Sequence, residues 1–337
     1  MKNKIYMMIL LSFVFAACES GDWEFPDYEY QSVYFAHQSP VRTITLGEDI
    51  VDTSFDNEWK FRIMATTGGV YNNENNIEIG VSVSNELLNN LAFQGSGNNV
   101  LPLPSNYYTL ASDQITIPKG QLTGGVEVQL TEEFFTDPLS IGNNYVLPLI
   151  MNNLTNADSI LSGVPLVENP NRLTPGDWVV RPKDYVLYAV KYINPWHGYY
   201  LRRGVDQITG EVDSTVVRHG EYVEDDEVNL LTTRSLNELE LPLVYRDDEG
   251  GNVNCTLILT FDDSGKCTIS SGTAGYTATG SGQFIKDGEK KSWGDQDRDA
   301  LYLSYDVDLD SLEVSAVDTL VMRNRGVAFE EFIPALQ

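Results

Sequence analysis

Apolar and polar residues alternate along most of this chain in short runs, and no long stretch holds a helical period. The runs SVYFA (32–36), RTITL (42–46), KFRIMAT (60–66), IEIGVSVS (77–84), YYTLA (107–111), QITIP (114–118), GVEVQL (125–130) and YVLPLIM (145–151) are separated by turn sets such as TTGG, PKGQLTGG and IGNN. A period of two sends alternate side chains to opposite faces of a pleated strand, and Gly and Asn supply the positive φ angles that tight turns demand. Strands at this spacing predict an all-β, immunoglobulin-like sandwich over residues 31–160. SNELLNNLA (84–92) alone looks helical, with Leu87, Leu88 and Leu91 at i, i+1 and i+4, and predicts a short crossing helix.

The character changes near Asp158. SGVPLVENPNRLTPG is rich in Pro, Asn and Gly, and the apolar run DYVLYAVKYIN follows it as a long strand that either closes the first domain or bridges to the second, so residues 161–194 read as a linker and a bridging strand. Over 195–337 the runs GYYLRRG, STVVRHGEYV, LELPLVYR, NCTLILTF, CTISS, YTATGSGQFI, ALYLSYDVDL and DTLVMRN give about eight strands. Their alternation fits a small antiparallel β-barrel or a second sandwich.

The first residues change the picture of where this chain resides. MKNKIYMMILLSFVFAA has two lysines, an apolar stretch too short to span a bilayer, and a closing pair of small residues. The pair ends on Cys18, so residues 1–17 resemble a bacterial lipoprotein signal peptide, with Phe15 where that motif usually has Leu. In that chemistry Cys18 is acylated and becomes the new N-terminus, a lipid anchor that holds firmly once two or three chains are attached. Residues 18–30 (CESGDWEFPDYEY) are acidic and too polar to pack alone, and read as a tether. Acid just behind the cysteine is similar to the signal that sends lipoproteins of gut glycan-degrading bacteria to the outer face of the outer membrane.

The chain carries 22 Lys+Arg against 49 Asp+Glu, a net charge of −27. Such a surface repels phosphate backbones and excludes nucleic acid as a partner, and it argues against docking on anionic lipid by charge. Neutral ligands, cations and basic protein surfaces remain open. The roughly 320 residues after the leader suit two domains. Beyond Cys18 the cysteines are Cys255 and Cys267, flanking a strand–turn–strand. With DDSG as the turn, Thr260 faces Cys267, and Cys255 falls on the opposite face, which predicts two free, partly buried thiols.

Two longer stretches carry a family resemblance. WEFPDYEYQSVYFAHQSPVRTITLGED and NYYTLASDQITIPKGQLTGGVEVQLTEEFF resemble an N-terminal domain of unknown function from lipoproteins of Sus-type glycan-utilisation systems, a module also found ahead of family-18 endoglycosidases. KDYVLYAVKYINPWHGYYLRRG is similar to the C-terminal domain that often accompanies it, for which the resemblance implies a lipocalin-like β-barrel. The family implies cell-surface glycan capture and supplies no catalytic residues.

Several clusters are candidates for chemistry. In NPWHGYYLRRG, Trp196, Tyr199 and Tyr200 offer flat faces to the C–H surfaces of sugar rings, and Arg202 and Arg203 suit hydroxyls or an acidic sugar. The competing reading places these alternating aromatics in a core, with Trp196 the most exposed. Trp293, in the polar segment DGEKKSWGDQDRD, reads as a loop platform. Asp295, Asp297 and Asp299 have the one-three-five spacing of a calcium loop, but Ala300 stands where an EF-hand has Gly, so Ca2+ is a weak expectation and no other cofactor is implied. EYVEDDEVN (221–229) reads as a charged hairpin. Ser159, Ser214, Ser311 and Thr319 follow aspartates in DSI, DST, DSL and DTL, which resemble a bacterial O-glycosylation signal.

An enzyme reading meets missing motifs. DVDLDSLE (306–313) departs from the DxxDxDxE run of family-18 hydrolases, there is no repeating βα pattern, and His37, His197 and His219 accompany no nucleophile motif. The expectation is a non-catalytic glycan-binding lipoprotein of the outer membrane that serves an uptake transporter. An adhesin or accessory-subunit role and an unrecognised glycosidase are the alternatives.

Overall fold

The computed structural model describes residues 27–210, 213–247, 250–310 and 312–337. The leader, Cys18, most of the tether and Ser311 lie outside the described residues. All eight N-terminal runs form strands, and they pack as two facing sheets. One sheet runs Ser159–Ile160, Ser32–Tyr34, Lys60–Gly68, Thr123–Leu130, Tyr108–Leu110. The other runs Glu330–Glu331, Pro40–Thr45, Tyr185–Ile193, Tyr145–Thr155, Ile77–Val83, Gln114–Ile117. Alternation is plain in KFRIMATTG, where Phe61, Ile63 and Ala65 face inward and meet Ile44, Ile79 and Leu147 from the opposite sheet.

Of the two placements open to the apolar run, the sheet order gives the one that closes the first domain. Tyr185–Ile193 lies inside the second sheet, antiparallel to Tyr145–Thr155 and parallel to Pro40–Thr45. Its nearly unbroken apolar character follows from being covered on both faces. Val186, Val190 and Tyr192 enter the inter-sheet core, while Tyr185, Leu187 and Ala189 meet a second apolar layer with Leu91, Phe93 and Phe332. That layer is built from SNELLNNLA, which forms a single 3-10 turn, Asn85–Leu88, and then a strand, Leu91–Phe93, in place of the expected crossing helix. Asn90 at φ 57° breaks the helical path. The chain end returns to the same layer. Glu330–Glu331 pairs with Pro40–Val41, and Pro334–Leu336 pairs with Leu91–Phe93, so the sandwich draws on residues that the sequence assigns to the barrel.

The C-terminal part is a closed eight-stranded antiparallel barrel. Gly198–Thr209 closes it, pairing along its whole length with Glu313–Asn324 and through its first half with Glu227–Thr233. The sequence reading miscounts one strand here. EVNLLTT, expected as part of a charged hairpin, is a barrel strand, and Ser214–Arg218 is an edge strand hydrogen-bonded to the second half of Gly198–Thr209. The cysteine register also differs. Gly265, at φ 75°, adds a residue to the turn, so Phe261 faces Cys267 and Cys255 falls on the same face. Both thiols are free and buried in the barrel core, and burial pushes them up to about 11 and about 12.

Arg325 joins the two parts. Its guanidinium is buried and donates to four backbone carbonyls: Leu46 (3.0 Å) and Glu48 (2.8 Å) of the sandwich, Asn194 (2.6 Å) at the junction, and His197 (2.7 Å) at the barrel entrance. Asn194, fully buried, receives the N–H groups of Trp196 and His197 on its side-chain oxygen and donates to the carbonyls of Ser235 and Glu238.

Candidate ligand-binding groove on the barrel

A concavity of about 840 Å³ lies on the outer wall of the barrel. Two neighbouring rungs of outward side chains line it. In the first, Thr260, Thr268, Ser281, Ser304 and Val317 are successive cross-strand partners. In the second, Lys266, Gln283, Tyr302 and Thr319 are partners in the same way. The dent has a local cause in TATGSGQFI. Gly280 and Gly282 occupy inward positions where a Cβ would lie 2.5 Å from the Ser304 carbonyl oxygen and 2.4 Å from a Leu303 methyl. Without side chains there, the strand Thr277–Glu289 lies closer to its neighbour than a Cβ would allow, and Gly282 forms part of the concavity's floor.

The groups in this groove are mostly neutral donors and acceptors. Gln283 commits its amide nitrogen to the carbonyls of Ser264 and Phe284, leaving its oxygen as an acceptor. Tyr302 donates to Glu289 (2.8 Å), and burial together with that carboxylate pushes its phenol up to about 12. Asp262 is engaged by its own turn, accepting from Ser264 N–H and Oγ and from Lys266 N–H, which hold its carboxyl low. Asp318, from the same stretch of wall, points to the opposite side, into the barrel. The groove therefore offers hydroxyls, an amide carbonyl, one aromatic ring and the exposed Lys266 ammonium, a set that suits a polyhydroxylated ligand.

The residues singled out from sequence are dispersed. Trp196 is half-buried, not the most exposed of its cluster: its ring stacks on Phe261 at 4.0 Å and 10°, plugging one end of the barrel. Tyr200 is fully buried in the barrel core and donates to the Trp196 carbonyl (2.7 Å). Tyr199 sits on the outer wall beside Gly326. Arg202 points inward and is 3% exposed, with Nε on Asp318 (2.8 Å) and Nη2 on the Tyr305 hydroxyl (3.0 Å). Arg203 binds Asp226 at 2.5 Å. Trp293 is half-buried rather than a bare platform, because the Arg298 guanidinium covers its ring at 4.4 Å. Asp297 pairs with Lys290, and Asp299 accepts from the Asp287 N–H, while Asp295 lies at φ 54°. Among the described residues no group of three or more His, Cys, Asp or Glu is placed to hold a metal ion. Ser159 bonds Ser32 inside a strand pair, Ser214 is exposed at the start of the edge strand, and Thr319 lines the groove.

Sequence reasoning passed over Thr260, Thr268, Ser281, Gln283, Tyr302 and Ser304. The signal for them was the glycine pair at inward positions of a strand whose outward positions are Thr, Ser and Gln. It also missed the ionic cluster around Arg202. There Asp318 accepts from Arg202, Tyr305 and Arg218, and Arg218 binds Asp206 through two nitrogens.

Residues 28–158 match a family model for an N-terminal domain, and residues 195–326 match a domain of unknown function, DUF5627. No curated protein gives a significant match. Among solved structures, an auxiliary nutrient binding protein from Bacteroides thetaiotaomicron is 11% identical, with 86% of this chain and 95% of that one covered and a TM-score of 0.37, a likeness too remote to bear on function. A protein of unknown function from Bacteroides ovatus is 46% identical, with 92% of this chain and 100% of that one covered and a TM-score of 0.90. The chain belongs to the family of that Bacteroides ovatus protein.

Proposed function

We propose that this protein is a non-catalytic glycan-binding lipoprotein, fastened through Cys18 to the outer membrane and facing the cell exterior, where it holds oligosaccharide or polysaccharide for an uptake complex. The observation that carries the reading is the barrel-wall groove, with its two rungs of hydroxyl and amide side chains and the Tyr302 ring. Sugars both donate and accept through every hydroxyl and present C–H faces to aromatic rings, so they match this lining in kind. A net charge of −27 favours a neutral ligand over an anionic one. Asp262 and Asp318 lie on opposite sides of the wall, so the groove holds no facing pair of carboxylates for acid–base cleavage of a glycosidic bond. The leader and its cysteine support the membrane address, and acylation is tested by intact mass of the native protein.

Affinity electrophoresis and calorimetry against plant and host glycans test the binding claim. A glycan that retards the wild type loses at least tenfold in affinity with Tyr302→Ala, while Tm moves by less than about 4 °C. Absence of binding to the whole panel, or unchanged affinity in Tyr302→Ala, overturns the assignment.

A further inference from the structure

We propose that the ligand is a linear, uncharged oligosaccharide of several units, whose far end lies between two loops beyond the groove. This rests on the glycan-binding reading and adds the ligand's length and the place of its far end. The second rung does not stop at Thr319. Its next cross-strand partner is Arg203, so a continuous line runs from Lys266 through Gln283, Tyr302 and Thr319 to Arg203. Five strands at about 4.8 Å spacing make this line roughly 19 Å long, several times the width of one sugar ring. Arg203 also lines a second concavity of about 500 Å³, bounded by Tyr222 and Glu224 on one side and Lys290 and Lys291 on the other. Glu289 belongs to that second cavity and accepts the hydroxyl of Tyr302 from the first, so one hydrogen bond marks their shared border.

Carboxylates dominate the far end: Arg203 and Lys290 are paired with acids, and Lys291 shares the cavity with Glu221, Glu224, Glu289 and Asp295. Arg203 is held by Asp226 at 2.5 Å, Lys290 by Asp297 at 3.0 Å, and Glu289 by Tyr302. An anionic ligand finds Arg203 and Lys290 already neutralised, with Glu224 nearby, which argues for a neutral chain. Tyr222 is 59% exposed and is the aromatic surface available to a terminal ring.

The test is calorimetry of the full mature chain with malto-, cello-, xylo-, manno- and chito-oligosaccharides of one to six units, plus oligogalacturonate as an acidic probe. The expected result is affinity that rises at least tenfold between two and five units in one neutral series. Tyr222→Ala then weakens the longer members about tenfold and leaves the disaccharide unchanged. Affinity that is flat with length, an unchanged response in Tyr222→Ala, or tighter binding of oligogalacturonate than of every neutral series overturns this inference while glycan binding stands. No binding by any series or by the acidic probe counts against glycan binding itself.

Discussion

The sandwich and the barrel fill their interiors differently. Between the sandwich sheets the core is made of side chains such as Phe61, Ile63, Ile79, Leu147 and Leu149. The barrel encloses a similar apolar set but also Arg202, Asp206, Arg218 and Asp318, with the hydroxyls of Tyr245 and Tyr305 joining the network. An apolar core loses stability in proportion to the volume removed and tolerates small shifts. Buried charges behave otherwise: their desolvation is offset only while every partner stays in place. The barrel interior is therefore the more brittle of the two.

The sharpest way to break this contrast is Asp318→Ala. It strands Arg202 and Arg218 without their shared carboxylate, and the expected loss is about 3–5 kcal/mol in denaturant unfolding. A loss under 1 kcal/mol would show that the cluster is dispensable. Leu147→Ala, fully buried between the sandwich sheets, is expected to cost about 2–4 kcal/mol. Its effect should be the same at pH 5 and pH 8, since burial pushes the phenols of Tyr145 and Tyr192, which share that core, far above this range.

The third expectation concerns the junction. The Thr233 N–H donates to Nδ1 of His197 (3.0 Å), so the ring is held as a neutral acceptor. Burial, reinforced by Arg325 and Lys191, pulls its pKa down to about 4 from 6.5. Because the folded value is depressed, the unfolded chain binds the proton first. Stability is unaffected above pH 6.5, falls between pH 6.5 and pH 4, and levels off below that. The decline amounts to roughly 3 kcal/mol at most. His197→Asn retains an acceptor and removes the titration, so the difference between the two stability-versus-pH curves isolates this group. Parallel curves would remove His197 from the account.

Much of the fold was legible because alternation is a local property. Every run read as a strand in the first 160 residues is one. Tyr185–Ile193 left two placements open because a strand covered on both faces loses its alternation, and nothing local says which sheet it enters. EVNLLTT was hidden by its acidic flank. The site was far less legible, because a rung exists only when the registers of five strands coincide. One extra residue at Gly265 already moved Cys255 to the other face relative to the expected pairing. Aromatic residues drew attention in the sequence, yet Tyr200 and Trp196 serve packing, while unobtrusive Ser and Thr residues line the groove.

The return of residues 330–336 to the sandwich has a consequence for synthesis. A ribosome delivers the chain from its N-terminus, and domains ordinarily fold in that order. Here the last strands of the first domain are translated after the whole barrel. The outer apolar layer holding Leu91 and Phe93 stays uncovered until Phe332 emerges. A chain truncated before that point would keep every barrel strand yet leave the sandwich unfinished, with an apolar face open to other chains.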